Sequence, residues 1–98
     1  MSEEQKRNID EIEEQVRKDP SNPTLRRTYA DTLMDNNFHE EALIQYKFLI
    51  NMFPDDADLH FNLGIIFEKL KKIDYAEKAY RKAVDLAPDE PDFHYNLA

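Results

Sequence analysis

Apolar residues recur along the chain at three- and four-residue steps. In 57–90 the first run is Leu59, Leu63, Ile66, Phe67 and Leu70, at i, i+4, i+7, i+8 and i+11. Lys71-Lys72 interrupts it, and Ala76, Ala79, Tyr80, Ala83, Val84 and Ala87 resume it. That period predicts two helices with one apolar stripe each. In 23–56 the scheme reads Leu25, Tyr29, Thr32 and Leu33, then Asn36-Asn37, then Ala42, Leu43, Tyr46, Leu49, Ile50 and Phe53. Asn tolerates a left-handed backbone, so Asn36-Asn37 suits a tight turn between helices. Pro20, Pro54 and Pro88 stop the runs, because proline has no N–H to donate and clashes with the preceding turn. Upstream, Ile9, Ile12 and Val16 mark one further helix. Ser2-Glu3-Glu4-Gln5 has the Ser-x-x-Gln form of a capping box, which would start that helix at about Glu3.

The three prolines are 34 residues apart, and so are Ala42 and Ala76, Tyr46 and Tyr80, Leu25 and Leu59, and Asp55 and Asp89. Asp58-Leu59-His60-Phe61-Asn62-Leu63-Gly64 also reads against Asp92-Phe93-His94-Tyr95-Asn96-Leu97-Ala98. Such a period signals a repeat architecture. The expected division is 1–22, a capping helix; 23–56 and 57–90, two helical hairpins; and 91–98, the start of another, all in one domain. One glycine in 98 residues fits an all-α chain, since folds rich in tight turns need more.

The 34-residue units resemble the tetratricopeptide repeat family. Leu63-Gly64, Phe67, Ala76, Tyr80, Ala83 and Pro88 occupy the family's pattern positions in 57–90. In 23–56 they read Tyr29-Ala30, Leu33, Ala42, Tyr46, Leu49 and Pro54. His60 stands where the family has its leading tryptophan, and Leu49 replaces a small residue, which widens helix packing there. The resemblance implies an all-α, right-handed superhelical stack of antiparallel helix hairpins. It also implies that Gly64 and Ala76 face each other within one hairpin, with Tyr80 and Phe67 filling the space between units.

Composition narrows the chemistry. The net charge is −8, which argues against nucleic acid and an anionic membrane surface as partners. Absence of Cys excludes a disulfide framework and a thiol nucleophile. There is no phosphate loop, nucleophile elbow or zinc-protease motif, so the chain is expected to be no enzyme and to need no cofactor. Asp55-Asp56-Ala57-Asp58 lacks the glycine and the bidentate glutamate of a calcium loop and reads better as an acidic helix N-terminus. His60 and His94 fall on successive helices, ~8–10 Å apart, too far for a shared metal. No metal site is expected. The acidic, polar start has no signal-peptide core, which suggests a cytoplasmic protein.

The resemblance places the interaction surface on the first helices. In the family, positions two, five, nine, twelve and thirteen point into a concave groove. They are Thr24, Arg27, Asp31, Met34 and Asp35 in the first unit, Asp58, Phe61, Ile65, Glu68 and Lys69 in the second, and Asp92 and Tyr95 in the third. Phe61 and Ile65, at i and i+4, form an apolar ridge with Tyr95 beside it. The ridge either anchors an apolar side chain of a peptide or is buried against the next repeat. Asn62 and Asn96 share the sixth position, where peptide-binding members use Asn on ligand backbone or a terminal carboxylate; the residue is also common in repeats that bind nothing known. The family's clamp for acidic C-termini needs basic residues, and only Arg27 complies, since Asp31 and Asp92 have the wrong sign. Outside the groove, Ile44, Phe48 and Met52 form an extra apolar stripe, whose equivalents in the next unit are Lys78, Lys82 and Leu86. Either the N-terminal helix covers it through Ile9, Ile12 and Val16, or another subunit does.

The expected function is a non-catalytic scaffold holding a protein or peptide partner in the groove. The contacts would be Arg27, Asp31, Phe61, Asn62, Ile65, Lys69, Tyr95 and Asn96. The alternatives are a homo-oligomeric self-association module, because Phe93 and Leu97 lack a following hairpin, or a fragment of a longer repeat protein, because the pattern stops in mid-helix.

Overall fold

The computed structural model describes residues 2–91, and among them it contains five α-helices and no strand. They are α1 (Glu3–Lys18), α2 (Pro23–Asp35), α3 (His39–Met52), α4 (Ala57–Lys69) and α5 (Ile73–Leu86). Consecutive helices pack on one another: α1 on α2, α2 on α3, α3 on α4 and α4 on α5.

Local chemistry sets the boundaries. The Gln5 N–H donates to Ser2 Oγ at 3.2 Å, and the Ser2 N–H donates to Gln5 Oε1 at 2.9 Å. This reciprocal pair satisfies two amides that have no intrahelical partner, and α1 begins at Glu3 as the sequence suggests. Asn22 and Asp56, 34 residues apart, cap α2 and α4 in the same way. Asn22 Oδ1 accepts from the Thr24 and Leu25 amides, and Asp56 Oδ1 from those of Asp58 and Leu59. The acidic run at 55–58 thus serves a helix N-terminus.

Both hairpin turns close with a pair of hydrogen bonds that satisfies the last carbonyls. Phe38 N–H donates to the Leu33 carbonyl and Asn37 N–H to that of Met34; Lys72 and Lys71 do the same to Phe67 and Glu68. The geometry forces positive φ at Asn37 (68°) and Lys71 (63°). Asn suits that region. Lys71 bears a cost of order 1–2 kcal/mol, because its Cβ crowds the following carbonyl.

Asp19, Phe53 and Ala87 end α1, α3 and α5 with nearly the same dihedrals: φ −139, −132 and −140° and ψ 67, 72 and 72°. Each precedes a proline, whose ring pushes the residue before it out of the helical region. This explains a departure from the apolar pattern. Phe53 was expected on the α3 core stripe, but it has left the helix and is 40% exposed.

One buried cluster joins α1 to α4 through Ile9, Ala30, Leu33, Ala42, Tyr46, Leu49, Leu59 and Ile66. A second, Phe67, Ala76, Ala79 and Tyr80, fills the α4–α5 hairpin. Leu43 packs against both and links them. Leu49 is fully buried where the family has a small residue. Helices α2 and α3 adjoin over less of their length than α4 and α5 do.

Gly64 stands against the Tyr80 ring of the facing helix. A Cβ built on Gly64 would lie 2.6 Å from both Cδ1 and Cε1 of Tyr80. Tyr80 therefore packs inside the hairpin, in a cluster that Leu43 of the preceding unit also meets. Of the two covers expected for the Ile44, Phe48 and Met52 stripe, α1 is not the one: these residues are 64, 44 and 40% exposed. Ile9 and Val16 are instead buried where α1 packs on α2.

Candidate peptide-binding groove

Helix α2 carries Arg27, Asp31 and Asp35 at i, i+4 and i+8, which places them on one face. Arg27 Nη2 donates to Asp56 Oδ2 at 2.7 Å, so α2 is tied to the cap of α4. Partial burial alone would raise the Asp56 carboxyl. The Arg27 guanidinium and the two capping amides outweigh that and hold it below the ordinary carboxylate range.

A group with a depressed folded pKa contributes stability above its unfolded pKa and loses it as pH falls through the folded one. Asp56→Asn keeps a capping side chain and removes the charge. It should lower stability at pH 7 by up to ~1 kcal/mol, discounted because both partners are about one-third exposed. The difference from wild type should close as pH drops below ~4. Urea unfolding at pH 7 and pH 3 checks both parts; an equal deficit at both would contradict the ion-pair assignment.

The tyrosine shared by both units meets a carboxylate of its own first helix. Tyr46 Oη on α3 donates to Asp31 Oδ1 on α2. Tyr80 Oη on α5 donates to Glu68 Oε1 on α4 at 3.1 Å. Burial first, then the accepting carboxylate, pushes both hydroxyls well above the usual tyrosine range. For Tyr46, Asp35 adds to the rise and Arg27 opposes it. Asp31 is therefore already engaged, as Arg27 is.

On α4, Phe61 and Ile65 are half-buried and pack against the second cluster. The Phe61 ring lies 5.6 Å from that of Tyr80, tilted by 51°. Asn62 is half-buried, and its side chain makes no hydrogen bond among the described residues. Lys69 is exposed in the last turn of α4. Tyr95 and Asn96, with Asp92 and His94, lie outside the described residues. His60 Nε2 donates to the Pro54 carbonyl at 2.8 Å, which requires its proton on that nitrogen and fastens the end of α3 to α4.

The structure thus joins Arg27 and Asp31 to partners the sequence did not pair with them. Sequence reasoning placed Glu68 in the groove and Tyr46 and Tyr80 in the repeat pattern, but it missed Asp56 as a partner of Arg27 and both tyrosine–carboxylate pairs. A signal existed for the tyrosines, which repeat at 34, but nothing indicated which carboxylate they meet. Among the described residues no three His, Asp or Glu side chains are grouped as a metal would require, and no helix is long and apolar enough to cross a membrane.

Antiparallel hairpins repeating at 34 residues, with paired caps and paired tyrosines, define a helical repeat solenoid. The tetratricopeptide repeat family model matches residues 28–98, and the chain belongs to that family. A TPR repeat-containing protein of Methanocaldococcus jannaschii is 41% identical over 49 residues, which is 50% of this chain and 15% of that protein. Among solved structures, MamA from Desulfovibrio magneticus RS-1 aligns with a TM-score of 0.89 at 21% identity, over 96% of this chain and 53% of that one. The first TPR of Spaghetti (RPAP3), bound to the HSP90 peptide SRMEEVD, aligns at 0.84 and 19%, over 96% and 75%. YrrB, a TPR protein with an unusual peptide-binding site, aligns at 0.86 and 21%, over 96% and 48%. The chain spans about half the length of the MamA and YrrB structures. These likenesses establish the fold as an all-α, right-handed superhelical stack of antiparallel hairpins.

Proposed function

We propose that the chain is a protein-interaction scaffold that holds a peptide or helical segment in the concave groove lined by α2 and α4, without catalysis. The observation that carries this reading is the face of α4. Phe61 and Ile65 form a half-buried apolar ridge, and Asn62, adjacent to Phe61, has a side-chain amide with no partner among the described residues. An amide offers both a donor and an acceptor to a peptide main chain, and the ridge offers apolar area to a side chain. Peptide binding by the RPAP3 domain and by YrrB supports a peptide-binding role for a chain of this fold.

The groove charges speak against an acidic C-terminal ligand. Arg27 is bonded to Asp56, and Asp31, Asp35, Asp58 and Glu68 would repel a carboxylate. Titration with SRMEEVD should therefore give no binding tighter than ~10 µM, about −7 kcal/mol. A peptide selected from a random library should bind, and should weaken about tenfold or more on Asn62→Ala or Ile65→Ala. Library peptides indifferent to both substitutions would overturn the groove assignment.

A further inference from the structure

A cleft of about 310 Å³ is bounded by α1, α2 and the start of α3. That volume lies at the lower end for ligand sites and suits a single side chain. Ile9 of α1, Leu33 of α2 and Phe38 of the hairpin turn give it an apolar lining, joined by the half-buried Tyr29 ring. Its rim is charged: Asp10 and Glu13 from α1, Glu41 from α3, and Lys6 as the one cation. The Glu13 carboxylate is engaged twice, by the Arg17 guanidinium and by the Tyr29 hydroxyl, which donates to Oε2 at 3.3 Å. The Lys6, Asp10 and Glu41 side chains form no ion pair among the described residues. Burial first, then Glu13 and Glu41, push the Tyr29 hydroxyl above its ordinary pKa, and Arg17 only partly opposes them.

The 34-residue repeat brings the equivalent residues together a second time. Leu33 corresponds to Phe67, Glu41 to Tyr75, Glu13 to Lys47 and Ile9 to Leu43. The Phe67 and Tyr75 ring centroids lie 5.4 Å apart, and Lys47 Nζ sits 6.0 Å from the Phe67 centroid. Leu43 packs against the same cluster. The second junction thus holds its own flat ring and its own cation. The first has the smaller Leu33, with carboxylates in place of Tyr75 and Lys47. It is open where the second is filled, and negative where the second is positive.

We propose that this cleft takes an arginine side chain presented by another protein. A guanidinium is flat and permanently charged, so it supplies at once what Tyr75 and Lys47 supply in the second junction. Its fork serves carboxylates on two helices, Asp10 on α1 and Glu41 on α3, where an ammonium acts as a point charge. Tyr29 and Phe38 offer it aromatic faces, and Ile9 and Leu33 receive its methylene stem. The charge count agrees. Three carboxylates stand against Lys6 on the rim, and the nearby Arg17 is taken up by Glu13 and Glu14. The cleft shares no residue with the α2–α4 groove, so the two readings stand or fall separately.

The test is amide chemical-shift mapping with N-acetyl-arginine-N-methylamide, which presents the side chain as a protein does. Saturable shifts are expected at Ile9, Tyr29, Leu33 and Glu41, with a Kd on the order of 1–10 mM for so small a probe. The citrulline analogue has the same shape without the charge and should bind about tenfold or more weakly. The lysine analogue should also bind more weakly. Glu41→Gln keeps the cleft and removes one charge, and should weaken arginine binding about threefold. Glu41→Tyr adds the ring that Tyr75 supplies in the next unit, and should abolish binding. Glu41 is exposed, so circular dichroism should show both variants folded. Equal binding of the citrulline or lysine analogue would overturn the proposal, as would undiminished binding by Glu41→Tyr. So would free arginine binding more tightly than the blocked probe, shifts scattered over other carboxylates, or no saturable shift.

Discussion

Gly64→Leu is expected to destabilise the chain by ~1–3 kcal/mol or more, and Gly64→Ala to destabilise it as well. The alanine variant is the more telling one. In an open helix interior Gly→Ala stabilises by up to ~1 kcal/mol, because it restricts the unfolded chain and favours the helix. Here the added methyl would lie 2.6 Å from two carbons of the Tyr80 ring. That ring has little room to retreat. Tyr80 is 3% exposed, its hydroxyl is held by Glu68, and its face is set against Phe61. The clash therefore reverses the usual sign. For a domain of this size each kcal/mol moves Tm by about 4–8 °C. Urea and thermal unfolding of both variants check the result; a Gly64→Ala chain as stable as wild type would contradict it.

Tyr46→Ala is expected to lower stability by ~3–5 kcal/mol, the range for emptying a large aromatic site. Tyr46 is fully buried at the centre of the α1–α4 cluster, among the largest side chains so enclosed. Against a total of roughly 5–15 kcal/mol for a domain, that loss approaches unfolding. Tyr46→Phe separates the ring from the hydroxyl. It should cost only ~1 kcal/mol at pH 7, because the Asp31 carboxylate is partly exposed and can turn to water. The folded state keeps the Tyr46 hydroxyl neutral above its unfolded pKa of ~10, so stability present below that pH is lost as pH rises further. Tyr46→Phe should lose less above pH ~10. Urea midpoints across that range decide the point; a Phe variant as damaged as Ala would show that the hydrogen bond, and not the ring, dominates.

Elements whose cause is local were legible in the sequence. Ser2 and Gln5 announce the start of α1, the prolines announce the ends of α1, α3 and α5, and Asn37 announces a left-handed turn. Each depends on residues within four or five positions. Lys71 adopts the same turn without a residue that favours it, because the closing hydrogen bonds of the hairpin impose it.

What lies between helices was not legible. That Gly64 meets the Tyr80 ring depends on the rotational phase and axial offset of α4 against α5, and a 3.6 period fixes neither. Arg27 finds Asp56 29 residues away because the cap of α4 lies beside the first turns of α2. The groove positions carried over by the family resemblance locate Arg27 and Asp31 without revealing that each is already bonded. The outer stripe shows the opposite failure. Apolar residues at helical spacing were assigned a cover, yet Ile44 remains largely exposed because α1 is used by α2.

The groove assignment is tested most directly by amide chemical-shift mapping. The 15N-labelled wild-type chain would be titrated with a peptide selected on it from a random library. The account predicts saturable shifts at Asp31, Phe61, Asn62 and Ile65, with Ile44 and Phe48 unmoved. Shifts confined to α1, α3 or α5, or a library that yields no binder at all, would contradict it.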